Sequence, residues 1–191
     1  MKQYTGRIAI LGSGNIGLSL AKGLVKANYV EAGQICLTRR NTANLSTFSA
    51  QGFEVTNDNA AAVAAADIVV LAVLPQQLNQ LLEQIAGVVD TNKHLIISVA
   101  SGVSCNDIKT KLSDGVQVIR AMPNTAIAIG QSMTCIASDN ATEVNIAEVT
   151  RMLETVGSVV KINEDLMTSA TALCACGIAF FLRAIRAASQ G

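Results

Sequence analysis

The chain has 191 residues, half of them apolar, with 14 basic and 14 acidic side chains and a formal net charge of zero. That length suits one doubly wound domain with part of a second. A neutral chain with no Trp and few other aromatics lacks a basic, base-stacking surface for nucleic acid, and no uninterrupted apolar run reaches the ~20 residues of a membrane-spanning helix.

The short polar start, Met1 to Gly6, leads through Arg7 into the apolar run Ile8, Ala9, Ile10, Leu11, and no secretory signal is expected there. The sequence Gly12-Ser13-Gly14-Asn15-Ile16-Gly17 follows, and residues 18–24 then show helical spacing of apolar side chains. Strand, G-x-G-x-x-G and helix in this order form the dinucleotide fingerprint. Gly12 permits the tight turn, Gly14 lets backbone approach a pyrophosphate, and Gly17 lets the helix pack on the strand. The helix N-terminus offers free N–H groups and a positive dipole end to phosphate.

Residues 34–38 read as the second strand. A site that prefers NAD(H) usually has Asp or Glu near this strand's end to bind the ribose 2′-OH. Here Arg39 and Arg40 stand there, and two guanidinium groups suit a 2′-phosphate. NADP(H) is therefore expected, with NAD(H) as a weaker alternative.

Residues 53–56 read as a short third strand, and Asn57, Asp58 and Asn59 precede an alanine-rich helix over 60–66. Residues 68–73 form a continuous apolar run, as in a central parallel strand buried on both faces. Pro75 can open the next helix, which carries Leu78, Leu81, Leu82 and Ile85. Strands are expected at 95–99 and 116–122, with a helix through Ile108 and Leu112 between them, capped by Ser104 or Asn106. Residues 131–137 read as a seventh strand. Asn140 or Thr142 precedes a helix over 143–155, and 159–162 reads as an edge strand. This alternation predicts an α/β fold: a Rossmann-like, doubly wound, mostly parallel sheet with helices on both faces.

In such a sheet ligands bind outside the carboxyl ends of the strands. The candidate segments are therefore 12–17, 38–41, 72–76, 100–102 and 122–125. The five cysteines are odd in number and have no secretory context, so free thiols in a cytoplasm are expected. Cys174 and Cys176 lie two apart and point to opposite faces if helical. The single His94 lacks ligand partners at metal-binding spacing and is read at a strand start, so no metal is expected.

From Thr168 to Leu182 the chain carries no charge, and Leu173, Gly177, Phe180, Phe181 and Ile185 are not confined to one narrow stripe. A helix apolar nearly all round must be buried. Its uncharged stretch is too short to span a membrane. The sheet can cover one face of it at most, so a partner is expected: a second subunit, or a helical domain of which these residues are only the start.

Together these motifs resemble those of the pyrroline-5-carboxylate reductases. The resemblance covers nearly the whole chain. It rests on the glycine turn, on Ala72-Val73-Leu74-Pro75-Gln76, on residues 98–103, on Arg120-Ala121-Met122-Pro123-Asn124-Thr125, and on Glu164-Asp165-Leu166-Met167 leading into Thr171-Ala172-Leu173. It implies an N-terminal Rossmann domain, here 1–163, followed by an all-α dimerisation domain whose first helix occupies 164–191, and hence a homodimer or higher homo-oligomer. It implies NADP(H)-dependent reduction of the C=N bond of 1-pyrroline-5-carboxylate to proline. The alternatives are reduction of another small imine or keto compound, or a non-catalytic NADP(H)-binding module.

By the same resemblance, the backbone of Gly12, Ser13, Gly14, Asn15, Ile16 and Gly17 takes the pyrophosphate, and Thr38, Arg39 and Arg40 take the 2′-phosphate. Asn59 lies near the adenosine ribose, and Ala72, Val73 and Pro75 line the cleft. Ala100, Gly102, Met122 and Asn124 lie at the nicotinamide end. Three places differ from the family pattern. Leu74 stands where the family usually has Lys, Ala126 where it has Pro, and residues 173–179 where it has L-S-G-S-G-P-A. No Asp, Glu or His is an obvious general acid, and no catalytic residue is assigned.

Overall fold

The computed structural model describes residues 3–191, so Met1 and Lys2 of the polar lead lie outside the described residues. Eight strands form one sheet: β1 (Ile8–Leu11), β2 (Ile35–Thr38), β3 (Glu54–Thr56), β4 (Ile68–Leu71), β5 (Leu95–Ser98), β6 (Gln117–Met122), β7 (Ser132–Ala137) and β8 (Gly157–Lys161). Their order is β3-β2-β1-β4-β5-β6-β7-β8. All neighbours are parallel except β6 and β7. Strands are added outward from β1 through β2 to β3 and then on the other side of β1 from β4, and the crevice opens where β1 and β4 meet.

Periodicity in β1 explains the two cores. Ile8 and Ile10 point to one face, where they meet Leu20 and Leu24 of α1 (Asn15–Lys26), Phe48 of α2 (Ser46–Ala50) and Val149 and Leu153 of α6 (Glu143–Glu154). Ala9 and Leu11 point to the other, with Val63 of α3 (Asn59–Ala64), Leu78 and Leu82 of α4 (Pro75–Ile85) and Ile108 of α5 (Cys105–Leu112). Successive side chains of a strand alternate in this way, so a strand covered on both faces must be apolar throughout.

The expected elements are present, with shifted ends. The 68–73 run ends as a strand at Leu71, because Ala72 and Val73 turn toward α4. The edge strands are β3 and β8, and β8 begins at Gly157, two residues before the expected start. Asp58 caps α3, accepting from the Ala61 N–H at 3.0 Å. Ser104 caps α5 in a reciprocal box with Asp107. Thr142 caps α6, while the Asn140 amide bonds the Val116 carbonyl and the Val118 N–H. The helix α2 was not expected, since its five residues are too few to show a period. His94 precedes β5 and is buried. Its Nδ1 accepts from the Asp90 N–H at 2.8 Å, and burial lowers its pKa and keeps the ring neutral.

The sheet covers the C-terminal segment on one side only, the extent expected of it. The segment runs through α7 (Met167–Ala170), a wide π-type turn (Thr171–Cys176) and α8 (Gly177–Ser189). Met167 is fully buried, and Cys174 and Ala175 pack beside Met122 and Cys135. Beyond them Phe180 is 72% exposed and Ile185 64%. The sheet covers only the first turns, and the rest of the apolar face is unpartnered. The helix is also longer than its uncharged stretch. The helical stretch from Glu164 to Ser189 spans 26 residues and is long and apolar enough to cross a membrane by length and composition. The uncharged stretch alone understates it, because Arg183 and Arg186 continue the helix without ending it.

Candidate functional site

The carboxyl ends of the parallel strands frame a cleft of about 910 Å³. Gly12, Ser13, Gly14, Asn15 and Ile16 form its floor, and Thr38, Arg39, Arg40 and Asn59 form one end. Ala72, Val73 and Pro75 line the wall above β4, and Ala100 closes the far end with Val99 and Ser101. Residues scattered from 12 to 101 therefore meet at one rim, as the doubly wound topology requires.

The floor is shaped by what glycine allows. Gly12 has φ +90°, and a Cβ there would lie 2.5 Å from Val73 Cγ1 and 2.8 Å from the Ala72 carbonyl oxygen. The turn must be glycine to pass under the end of β4. Gly14 is different: a Cβ there meets nothing within 4 Å and would point into open space. Gly14 is also the N-cap of α1. No side chain caps that end, and no acidic residue occupies its first turn. The free N–H groups and dipole of α1 thus face the cleft without a competing carboxylate.

Hydrogen bonds brace the turn against β2. Ser13 N–H donates to the Thr38 carbonyl at 3.0 Å, and Arg39 Nη1 donates to the Ser13 carbonyl at 3.2 Å. Thr38 Oγ1 donates to Asn59 Oδ1 at 2.6 Å, and Asn59 Nδ2 donates to Gln84 Oε1 at 2.8 Å. Thr38 and Asn59 thereby fix the position of the turn. Ser13 Oγ is buried and has no hydrogen-bond partner among the described residues. A buried hydroxyl left unpaired beside a cationic helix end suits a ligand that accepts hydrogen bonds. Arg39 and Arg40 are both exposed, and no Asp or Glu is among the residues that line the cleft. Its chemistry is that of a receptor for a multiply charged anion.

Four expected residues do not line the cleft, and one of them, Met122, is buried in an apolar cluster with Cys135 and Met167. Gly17 lies beneath the turn, where a Cβ would come within 3.0 Å of Ile10 Cγ2 and 3.1 Å of the Gly12 carbonyl, so it serves helix-on-strand packing. Gly102 is at the exposed tip of its turn, with φ +74°. Asn124 is buried and committed elsewhere. Its Oδ1 accepts from the Ala126 N–H at 3.1 Å, and its Nδ2 donates to the Cys174 carbonyl at 3.0 Å. It ties the loop after β6 to the C-terminal helix. Other lining residues were not expected: Asn44, Asn57, Gln80 and Gln84. The glutamines carried a usable signal, since Gln76, Gln80 and Gln84 recur every four residues and so share one face of α4.

A second set of contacts joins the sheet to the C-terminal helix. Glu164 Oε1 accepts from Arg120 Nη1 at 3.1 Å and from the Cys105 N–H at 2.7 Å. The Arg120 side chain is only 10% exposed. Among the described residues no group of three or more His, Cys, Asp or Glu side chains is placed to hold a metal ion.

Residues 7–102 match the family described as "NADP oxidoreductase coenzyme F420-dependent". The chain is 43% identical over its whole length to pyrroline-5-carboxylate reductase 1 of Dictyostelium discoideum, of which it spans 37%. It is 33% identical over 97% of its length to pyrroline-5-carboxylate reductase of Methanosarcina acetivorans, of which it spans 69%. In fold it is similar to the crystal structure of Plasmodium falciparum pyrroline carboxylate reductase with NADP bound. That likeness has a TM-score of 0.87 at 22% identity and covers 97% of this chain and 68% of the other. Fold, glycine turn and identity to relatives agree, and the chain belongs to the pyrroline-5-carboxylate reductase family.

Proposed function

We propose that this chain binds NADP(H) in the cleft and forms the cofactor-binding part of a reductase that converts 1-pyrroline-5-carboxylate to proline. The observation that carries the reading is the cleft itself: a cationic helix end, a close-approach glycine and two arginines in a hollow lined by no carboxylate. The N–H groups at the start of α1 and the Ser13 hydroxyl would hold the pyrophosphate. Arg40, which is exposed, would take the 2′-phosphate with Arg39. Arg39 also braces the turn through the Ser13 carbonyl, so its charge is fixed beside the floor. Ala72, Val73 and Ala100 would give the nicotinamide an apolar wall and exclude water from one side.

When bound, the cofactor supplies a hydride from C4 of its nicotinamide, and the protein supplies orientation and electrostatics. No carboxylate or imidazole lines the cleft, so the imine proton is not assigned to an acid of this chain. The reading includes a division into a cofactor domain over 1–163 and a helical segment over 164–191. It includes self-association through that segment, supported by the exposed Phe180, Phe181 and Ile185. It also includes a cytoplasmic setting, supported by five free cysteines.

Calorimetric titration with NADPH and NADH tests the cofactor reading. Each charge-assisted contact to the 2′-phosphate contributes about 1.5–3 kcal/mol, so NADPH is expected to bind roughly tenfold or more tightly. The double substitution Arg39→Ala/Arg40→Ala should erase the difference. Equal affinities in the unsubstituted chain would overturn it. Imine-dependent oxidation of NADPH tests the substrate.

A further inference from the structure

Cys135 of β7 and Cys174 of the wide turn face each other across the junction of sheet and C-terminal helix, with their sulfurs 3.9 Å apart. Both belong to a small apolar cluster with Met122 and Met167. Cys135 is 2% exposed, whereas Cys174 is partly open to solvent. The cluster lies beside a built contact, because the Cys174 carbonyl accepts from Asn124 Nδ2. The backbone of Cys174 is therefore already fixed against the sheet. A disulfide needs the sulfurs at about 2 Å, so with the backbone held the two thiol side chains must rotate toward each other to close it.

We propose that Cys135 and Cys174 form a reversible dithiol–disulfide pair, oxidised by a small disulfide of the glutathione class, that bolts the start of the C-terminal helix to the sheet. The Cys174 thiolate attacks the small disulfide, forming a mixed disulfide and releasing one thiol. Cys135 then gives its proton to water and attacks Cys174 Sγ, forming the internal bond and releasing the second thiol. The protein dithiol is oxidised by two electrons, and the small disulfide is reduced to two thiols. The order of attack follows from the surroundings: burial, with the Cys174 thiol beside it, pushes the Cys135 thiol up to about 11 and leaves the first step to the more open sulfur. Cys176 is exposed and two residues from Cys174, so it lies on a different side of the helix and is not part of the pair.

The test is peptide mapping of the full chain after treatment with oxidised glutathione, digested without reduction. The expected result is a cross-link between the peptide holding Cys135 and that holding Cys174. It should form in Cys176→Ser, be lost in Cys174→Ser and in Cys135→Ala, and be reversed by dithiothreitol to five free thiols. Because Cys135 is buried, Cys174→Ser on the partly exposed side is the variant on which the result rests if Cys135→Ala fails to fold. Hydrogen exchange over 167–176 should slow in the oxidised form. A chain that accumulates glutathione adducts on Cys174 without the internal bond overturns the proposal, as does a cross-link that needs Cys176. The mapping uses no cofactor, so its outcome is separate from that of the NADP(H) reading.

Discussion

Two glycines of one turn should fail in opposite ways when substituted. At Gly12 the φ of +90° costs an L-residue about 1–2 kcal/mol. A Cβ there also meets Val73 Cγ1 at 2.5 Å and backbone atoms of Ala72 at 2.8 and 2.9 Å. The side chain can move, but the backbone at the end of β4 cannot do so cheaply, and such overpacking costs typically 1–3 kcal/mol. Gly12→Ala should therefore destabilise the fold by about 3 kcal/mol. Gly14 has φ −91° and ψ −162°, an extended conformation open to any residue, and nothing lies within 4 Å of its Cβ. Loss of a glycine N-cap there costs a few tenths to about 1 kcal/mol, and the lower entropy of the unfolded chain offsets it by about 0.4–1 kcal/mol. Gly14→Val should leave the urea midpoint nearly unchanged. Its side chain would occupy the space through which phosphate reaches the N–H groups. Loss of two such contacts at about 1.5 kcal/mol each lowers NADPH affinity roughly a hundredfold. Urea unfolding and calorimetry on both variants check this. A Gly14→Val chain that binds NADPH normally, or unfolds as easily as Gly12→Ala, would refute the assignment of the turn as phosphate site.

Breaking the Arg120–Glu164 pair should destabilise the junction with the C-terminal helix: loss of Glu164 strands the buried Arg120 charge at about 3 kcal/mol or more, and loss of Arg120 strands the partly exposed Glu164 at a smaller cost. Arg120→Met/Glu164→Gln should recover much of the larger loss in urea unfolding, because neither charge is then left alone; a double variant as unstable as Glu164→Gln would contradict this. Stability should also fall at alkaline pH. Burial pushes Cys36, Cys105 and Cys135 up to about 11, 12 and 11, so above pH ~9 the unfolded chain has released protons that the native chain retains. The contribution is complete below that pH and is lost as pH rises toward 11, by up to ~1.4 kcal/mol per pH unit for each thiol. Urea midpoints measured from pH 8 to 10.5 should hold to about pH 9 and drop above it, and a flat profile throughout would refute it.

The parts of the fold legible in the sequence are those where burial dictates residue type. The central strands β1 and β4 are covered on both faces and read as unbroken apolar runs, and β5 is apolar up to its last residue, Ser98. The rim of the cleft follows from them, because topology places the loops after these strands together. The short helix α2 was hidden, since a single buried Phe48 anchors it and no period develops over five residues. The direction of β7 was not read from its residues, which alternate no differently in an antiparallel strand. It is set instead by the link from β6, residues 123–131 with the turn Thr125–Ile129, which is too short for a crossover. Asn124 shows the limit for site residues. Its segment was correctly placed at a strand's carboxyl end, but a buried amide goes to the nearest unpaired carbonyl, and here that belongs to Cys174.

That amide also explains why the C-terminal helix departs from regular α geometry where it touches the sheet. A π-type turn shifts the helical bonding to i→i+5 and disturbs the regular use of its carbonyls. Thr171 Oγ1 bonds the Met167 carbonyl at 2.7 Å and Asn124 Nδ2 the Cys174 carbonyl at 3.0 Å, so backbone acceptors in and before the turn have side-chain donors. Met167 and Cys174 are thereby held against the sheet while Phe180 and Phe181 point to solvent. Glu164 anchors the same segment one turn earlier, through Arg120 of β6 and the first N–H of α5. Any movement of the helix must therefore pull on β6, and β6 leads directly into the loop at Asn124. The apolar length of α8 can engage a partner without loosening the cleft, because these contacts hold the base of the helix to the sheet.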